Sequence, residues 1–582
     1  MVIPEEGKSI LRVYYDEQTS VCLSSALHNK AAAAGLRRLF MRSRPQPRQM
    51  SNGDETSCLF QEDERPMNNI RRRPMKLTQM GNPRLKKEVQ RKPVLEWAKA
   101  IAISFAAVSG FLTLAWQNRS RDPNFLRKSA KFKRVDKCDL RTYPLKHIDQ
   151  VTELNLSGCG HTSLPADAEL WSRFVTLKKL DLSNNSLTDL PEEMAVLSSL
   201  EILFLSENEI EIIPTVISKF SKLRVLSLRG NLLADLSSTN LPTSTLVWLI
   251  LTNNQIRRIH SNIGDLILLR KLMLSHNMIE RVPVELGECK ELELMRLANN
   301  NINTSLPKEV LSLPNLAWVS LSGNPISITP QNIARTVNES EIQMTSKILG
   351  NGASGTVFQG KYQGEDVAVK IFKEGSKGSD GNAADEAGIN ALVDHPLAIS
   401  AIGIIKEGKD EAYKGMVMKL LSGAFPFGKA PNFDTVTRDE GPSPHSANLT
   451  KKQALGVVWN IASVLDYIHS SIGVSHGDVY LHNVLRDGLF TARLSDWGAS
   501  FVYDRKNVEL AEMLERIEVL AFGRLIQDLI DWHHDMAIQD LSGPLKELLS
   551  SITQPNQASR PNFRAIKEKL GGMPEFKQIA AI

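Results

Sequence analysis

Cysteine is scarce in this chain: five residues in 582, at positions 22, 58, 138, 159 and 289. Their spacing shows no pairs, which excludes a disulfide framework and fits a reducing compartment. The N-terminus lacks the apolar stretch of a secretory signal, and Glu5, Glu6, Asp16 and Glu17 speak against a transit peptide. Long apolar runs are nearly absent too. The one stretch of spanning length is Ala100 to Trp116, 17 residues without a charge; counting from Trp97 gives 20, with Lys99 near one end. A spanning helix needs about 20 mainly apolar residues. Residues 97–116 are therefore expected to form a single transmembrane helix with Lys99 snorkelling, with an amphipathic or buried helix as the alternative.

Charge is unevenly spread. Residues 1–150 hold 29 Lys and Arg against 15 Asp and Glu, whereas the remainder holds 41 against 50, within a net charge of +5. The excess flanks the apolar run, with Arg71, Arg72, Arg73, Lys86, Lys87, Arg91 and Lys92 before it. Arg127, Lys128, Lys131, Lys133 and Arg134 follow it. Polybasic stretches beside a membrane segment attract anionic lipid, an expected partner near residues 71–134. Because both flanks are basic, charge does not orient the span. The basic residues lack interleaved aromatics, so no nucleic-acid partner is expected. Residues 1–95 are polar, arginine-rich and aperiodic and are expected to be a disordered basic region; residues 117–150 are expected to be a basic linker.

Internal repetition dominates the next part. Leu177, Leu200, Leu223, Leu246, Leu269 and Leu292 stand 23 residues apart, and Leu316 follows at 24. They open L-x-x-L-x-L-x-x-N, as in Leu177, Leu180, Leu182 and Asn185, with Met295 and Val319 at the second leucine of the last two, and a degenerate copy starts at Val151 with Cys159 in the asparagine position. The pattern is identified as a leucine-rich repeat, eight units over 151–330. One unit cannot bury its apolar face alone, whereas stacked units can. The ladder Asn185, Asn208, Asn231, Asn254, Asn277, Asn300 and Asn324 is placed to bond backbone groups. Leu190-Pro191, Ile213-Pro214, Val282-Pro283 and Leu306-Pro307 resemble the intracellular type of repeat. The concave face is expected to carry Phe204, Trp248, Ile250, Met273 and Trp318 among Arg224, Arg270 and Arg296. Exposed aromatics with arginines characterise partner surfaces, so a protein partner is expected there; ordinary strand filler is the alternative.

After the repeats, Gly350, Gly352 and Gly355 with Val357 form G-x-G-x-x-G-x-V, followed by Val367, Ala368, Val369 and Lys370. This resembles the nucleotide lobe of the protein-kinase family. Further landmarks follow in order: Glu386 at a helix start, Val417 to Leu420 as a hinge, an amphipathic helix from Gln453 to Ser470, and His476-Gly477-Asp478 with Asn483. Then come Asp496-Trp497-Gly498 and Ser559-Arg560-Pro561. The resemblance covers about 344–575. It implies that Leu349, the three glycines, Val357, Lys370 and Met418 bind ATP, with Glu386 pairing Lys370. It further implies that Asn483 and Asp496 hold Mg2+ and that Asp478 handles the acceptor hydroxyl. An Asp and an Asn completed by phosphate and water suit a hard cation.

Departures accompany the resemblance. Gly477 replaces an arginine that in many kinases reads an activation-loop phosphate. Tyr480 stands where serine/threonine kinases carry a lysine, with only His482 nearby, and Trp497 replaces phenylalanine. Glu518, expected to open a helix, lies 22 residues after Asp496, too short for a full activation segment, and A-P-E is missing. Either Glu512 or Glu515 is a candidate partner for Arg560. The fold expected is an α/β leucine-rich-repeat solenoid followed by a two-lobed α+β protein-kinase-like domain. The expected function is ATP- and Mg2+-dependent transfer to a protein hydroxyl, Ser/Thr-directed, with a repeat-bearing pseudokinase scaffold or a small-molecule phosphotransferase as alternatives. No second apolar stretch separates repeats from kinase, so both are expected on the cytosolic side of a single-pass membrane protein.

Overall fold

The computed structural model describes residues 133–136, 138, 150–577 and 579, apart from 331–334, 353, 374–379, 408–411 and 533–542. The expected disordered region, the expected span at 97–116 and most of the basic linker lie outside the described residues. Among the described residues, no helix is long and apolar enough to cross a membrane.

The repeats build one parallel sheet of nine strands, β1 (Lys133–Asp136), β2 (Val151–Asn155), β3 (Lys179–Asp181), β4 (Ile202–Phe204), β5 (Val225–Ser227), β6 (Trp248–Ile250), β7 (Lys271–Met273), β8 (Leu294–Arg296) and β9 (Trp318–Ser320), paired in chain order. The repeated leucines, among them Leu180, Leu203, Leu226, Leu249 and Leu272, are fully buried inside the coil. Each asparagine of the ladder ties two turns together: Asn208 Nδ2 donates to Leu182 O and Leu205 O at 3.0 Å, and its Oδ1 accepts from Leu187 N at 2.9 Å. Buried backbone groups at the turns are thereby satisfied without water.

Two features differ from the sequence reading. Part of the expected linker is strand β1, which pairs with β2 in parallel. Just beyond it, Cys138 is joined to Cys159 by a disulfide, which corrects the reading of unpaired cysteines. A separation of 21 residues announces no pairing by itself. It is the extra strand that carries Cys138 back to the first repeat.

The next lobe carries a six-stranded sheet built from β10 (Thr336–Val337), β11 (Ile342–Asn351), β12 (Gly355–Tyr362), β13 (Glu365–Phe372), β14 (Ala401–Glu407) and β15 (Ala412–Lys419), in the order β10-β14-β15-β13-β12-β11. Helix α1 (Ala383–Leu392) follows β13, capped by Asn382, whose side chain accepts from Asp385 N. The second lobe is helical around α2 (Lys451–Tyr467), which starts on a Thr450–Gln453 capping box. A small hairpin, β16 (Val484–Arg486) and β17 (Ala492–Leu494), precedes helix α3 (Val508–Trp532).

Helix α3 begins at Val508 and not at Glu518. Its extra turns carry Leu510, Leu514 and Ile517 at helical spacing, and these side chains, with Phe501 and Tyr503, belong to the same apolar core as the repeat leucines. In the other direction, Leu294, Ala317 and Trp318 of the repeats join the core of the helical lobe. Repeats and kinase-like lobes are thus parts of one compact unit.

The concave face is covered by the chain itself. Between hinge and α2 runs a segment of turns and two-residue strands whose Phe433 packs on Phe204 at 5.5 Å and on Trp248 at 5.7 Å. Val436 is buried against Val225, Trp248 and Met273, with Ile250 alongside. Trp318 stacks on Tyr480 at 4.5 Å. All five side chains expected to meet a partner protein are therefore occupied in cis. The repeat pattern tells which residues line the face, not what fills it. Phe433→Ala is expected to lower stability by about 2 kcal/mol, below the roughly 3–5 kcal/mol of a fully buried ring because this one is only partly buried. Chemical denaturation of the full chain checks this.

Candidate active site

Antiparallel register brings the sheet residues of the site onto one face. Val357 pairs with Lys370, and Lys370 with Met416; two residues along, and so on the same face, Ala368 pairs with Met418. Directly opposed residues share a face, so Val357, Lys370 and Met418 look into the same cleft. The Lys370 ammonium is ion-paired with Glu386 of α1, and both are buried. Burial opposes the charge on Lys370, but Glu386 and then Asp496 outweigh it and hold its pKa above the ordinary range.

The cleft measures about 1550 Å3. Leu349, Gly350, Gly352, Gly355, Val357, Lys370, Glu386, Met418, Asn483 and Asp496 all line it. The glycines differ in what they do. A Cβ at Gly350 would meet open space, whereas one at Gly355 would stand 2.5 Å from Ile371 O. Gly355 is thus required by the close approach of β13, and Gly350 leaves backbone bare toward the cleft.

On the opposite wall, Asn483 donates from Nδ2 to Asp478 O at 3.0 Å and to Asp478 Oδ2 at 2.7 Å. Asp496 adopts a left-handed backbone, φ 60°, and Trp497 behind it donates from Nε1 to Ile399 O at 2.8 Å. Among the described residues no cluster of three or more His, Cys, Asp or Glu is placed to hold a metal alone. Asn483 and Asp496 are two oxygen donors, a set that fits a magnesium ion completed by phosphate and water.

The backbone before Asp478 is pinned by one carboxylate. Glu518 accepts from His476 N at 3.1 Å and Gly477 N at 2.7 Å, and bonds His469 Nε2 at 2.6 Å. Burial would raise the Glu518 pKa, but the bond to His469 and the surrounding donors pull it below the usual carboxylate range. The sequence marks Glu518 only as the expected start of a helix. Its role was invisible because it acts from mid-helix.

Asp478 is the one candidate residue that does not line the cleft. Its Oδ1 accepts from Arg296 Nη2 of strand β8, and it is part-buried. Arg296 also donates from Nε to Asp380 Oδ1 at 2.8 Å and from Nη1 to Gly477 O at 2.7 Å. Burial would push the Asp478 carboxyl up, yet Arg296 first, then His482 and His476, draw it below the ordinary range. Further bonds tie the start of α1 to the repeats: Ser322 Oγ donates to Asp385 Oδ2 at 2.8 Å, and Asn382 Nδ2 to Asn299 Oδ1 at 2.9 Å.

Neither glutamate expected to pair with Arg560 does so. Arg560 spends its guanidinium on backbone carbonyls, Gln554 O at 2.8 Å, Arg516 O at 3.1 Å and Pro314 O of the repeats at 2.7 Å. With no carboxylate beside it, burial pushes its pKa down to about 10. Glu515 instead accepts from Phe563 N at 2.8 Å, and Glu512 pairs with Arg516 at 3.1 Å. Both carboxylates are thus engaged by other partners.

Comparison with known proteins agrees with this arrangement. A protein kinase domain model matches residues 344–515, and a leucine-rich-repeat model matches 175–233 and 267–326. Among curated relatives, the L-type lectin-domain containing receptor kinase I.8 of Arabidopsis thaliana is 33% identical over 27% of this chain and 22% of its own length. Dual specificity protein kinase shkA of Dictyostelium discoideum is 28% identical over 40% of this chain and 50% of its own. A probable LRR receptor-like serine/threonine-protein kinase of Arabidopsis thaliana is 26% identical over 33% and 21%. The chain spans between 21% and 50% of the length of these three relatives. Read with the stacked asparagine ladder and the Lys370–Glu386 pair over the cleft, these matches identify the chain as leucine-rich repeats joined to a protein kinase domain.

Proposed function

We propose that the chain is an ATP- and magnesium-dependent protein kinase that transfers the γ-phosphoryl group to a serine or threonine hydroxyl. The observation that carries this reading is the convergence of Lys370, Glu386, Asn483 and Asp496 on one glycine-edged cleft. In this reading Leu349, Val357 and Met418 enclose the adenine, while Gly350, Gly352 and Lys370 meet the phosphates. Asn483 and Asp496 would hold a divalent cation, whose chemistry is to neutralise charge on the phosphates. Asp478 takes the proton of the acceptor hydroxyl as its oxygen bonds to phosphorus and the bond to the bridging oxygen of ADP breaks. Positioning and charge stabilisation account for most catalysis of this class.

The protein partner or substrate that such a chain implies uses surfaces other than Phe204, Trp248, Ile250, Met273 and Trp318. Since repeats and kinase domain share one core, both lie on the same side of any membrane that residues 97–116 cross. The uncharged run there, the basic residues at 71–134 and the receptor-like relatives support a tether to anionic membrane. A pseudokinase is the second reading, favoured by the position of Asp478 off the cleft lining.

Transfer of label from γ-labelled ATP by the full chain, to itself and to a protein mixture with and without magnesium, decides between them. Magnesium-dependent labelling is the expected result; none with any acceptor refutes the enzyme reading. Lys370→Met is expected to cut transfer about 100-fold or more, the size of removing one positioned charge from a reacting phosphoryl group. Methionine keeps the packing, and the buried Glu386 then takes up a proton.

A further inference from the structure

The contact between repeats and kinase domain is built like the inside of a domain. Trp318, Arg296 and Arg560 are buried in it, and apolar clusters run through it in both directions. Separating the two parts would put Leu510, Leu514 and Trp318 in water and deprive Arg296 and Arg560 of buried acceptors. Contacts of this kind belong to obligate interfaces, which resemble a core cut in half. Arg296 is therefore a standing neighbour of Asp478 and not a latch that closes on it.

Its geometry is that of a fork used on every prong. Nε, Nη1 and Nη2 end on Asp380 Oδ1, Gly477 O and Asp478 Oδ1. Asn483 holds the other Asp478 oxygen at 2.7 Å, so the carboxylate is gripped from both sides, and each oxygen keeps a second lone pair for a proton. The catalytic loop brings no lysine or arginine of its own to this place, and His482, its nearest basic side chain, is bonded to Asp439. Gly477 precedes Asp478, and Tyr480, two residues on, is stacked against Trp318.

We infer that Arg296, reaching in from a repeat strand, is the positioning residue of Asp478, so that the repeats complete the active site of the kinase domain. The inference rests on the reading of Asp478 as acceptor of the hydroxyl proton. Arg296 moves no proton itself. It aims the carboxylate and supplies a permanent positive charge where the loop carries only histidines. A lysine has one ammonium on a flexible stem and cannot serve three acceptors in a plane.

The test uses the full chain with γ-labelled ATP and whichever acceptor wild type labels. Arg296→Ala is expected to lower kcat about 100-fold, the scale of a misplaced catalytic group. KM for ATP is expected to stay within about twofold, because the nucleotide-facing residues are untouched, and added guanidinium ion is expected to restore part of the rate. Arg296→Lys, which keeps charge in the site if the alanine variant fails to fold, is expected to lose about tenfold in kcat at unchanged KM. A kcat at or above wild type in either variant overturns the inference, an increase marking Arg296 as an inhibitory clamp. Loss of kcat, ATP affinity and melting temperature together, without guanidinium rescue, also overturns it and leaves Arg296 a purely structural residue. If wild type labels nothing and Asp478→Asn equals it, the underlying reading fails and takes the inference with it.

Discussion

Asp478→Asn is expected to reduce kcat about 1000-fold, within the range that positioned acid–base groups contribute. The amide cannot accept the hydroxyl proton. It also offers one acceptor and one donor where the carboxylate offered two acceptors, so either Arg296 or Asn483 loses its partner. That mismatch is expected to cost about 1–3 kcal/mol of stability, visible as a lower melting temperature in a chain that still folds. Nucleotide affinity is expected to stay within about twofold, since the lost bonds lie on the far wall from Lys370 and Met418. Transfer at the wild-type rate by purified Asp478→Asn would remove Asp478 from the mechanism.

The second large effect concerns the residue before it. Restoring the arginine usual at this place, Gly477→Arg, is expected to destabilise the chain by about 3 kcal/mol or more and to abolish transfer. Gly477 has φ +73°, and a Cβ there would stand 2.7 Å from Val319 O and 2.8 Å from Ala499 O. A side chain meets left-handed strain of about 1–3 kcal/mol and overpacking of similar size. One of the clashing carbonyls belongs to repeat strand β9, so the loop would be pushed off the repeats and Asp478 with it. Gly477→Ala meets the same two carbonyls and is expected to show most of the stability loss. A wild-type melting temperature for Gly477→Arg would contradict the packing of β9 on the catalytic loop. The missing arginine, which from sequence alone points to absent activation-loop control, has a steric cause as well.

Periodic and local features were the legible ones. The 23-residue spacing announces the repeats because each turn must bury the same leucines, and the kinase motifs announce the cleft because each is short and keeps its residues close in sequence. Features made by distant residues were not legible. Arg296 and Asp478 lie 182 residues apart, and the place of Arg296 in its repeat, between Met295 and Leu297, says nothing of what it meets. The early start of α3 follows from Leu510, Leu514 and Ile517, whose spacing is visible but whose burial depends on the repeats. Arg560 was assigned a carboxylate by analogy and found carbonyls, one of them from Pro314. The concave aromatics were correctly placed on their face. Phe433, 229 positions beyond Phe204, is what covers them.

Calorimetric titration of the full chain with ATP in the presence of magnesium tests the central claim most directly, because it asks the cleft alone to act. One site per chain is predicted, weakened by omitting magnesium and lost in Lys370→Met. Absence of any binding heat in wild type, at several temperatures, would contradict it.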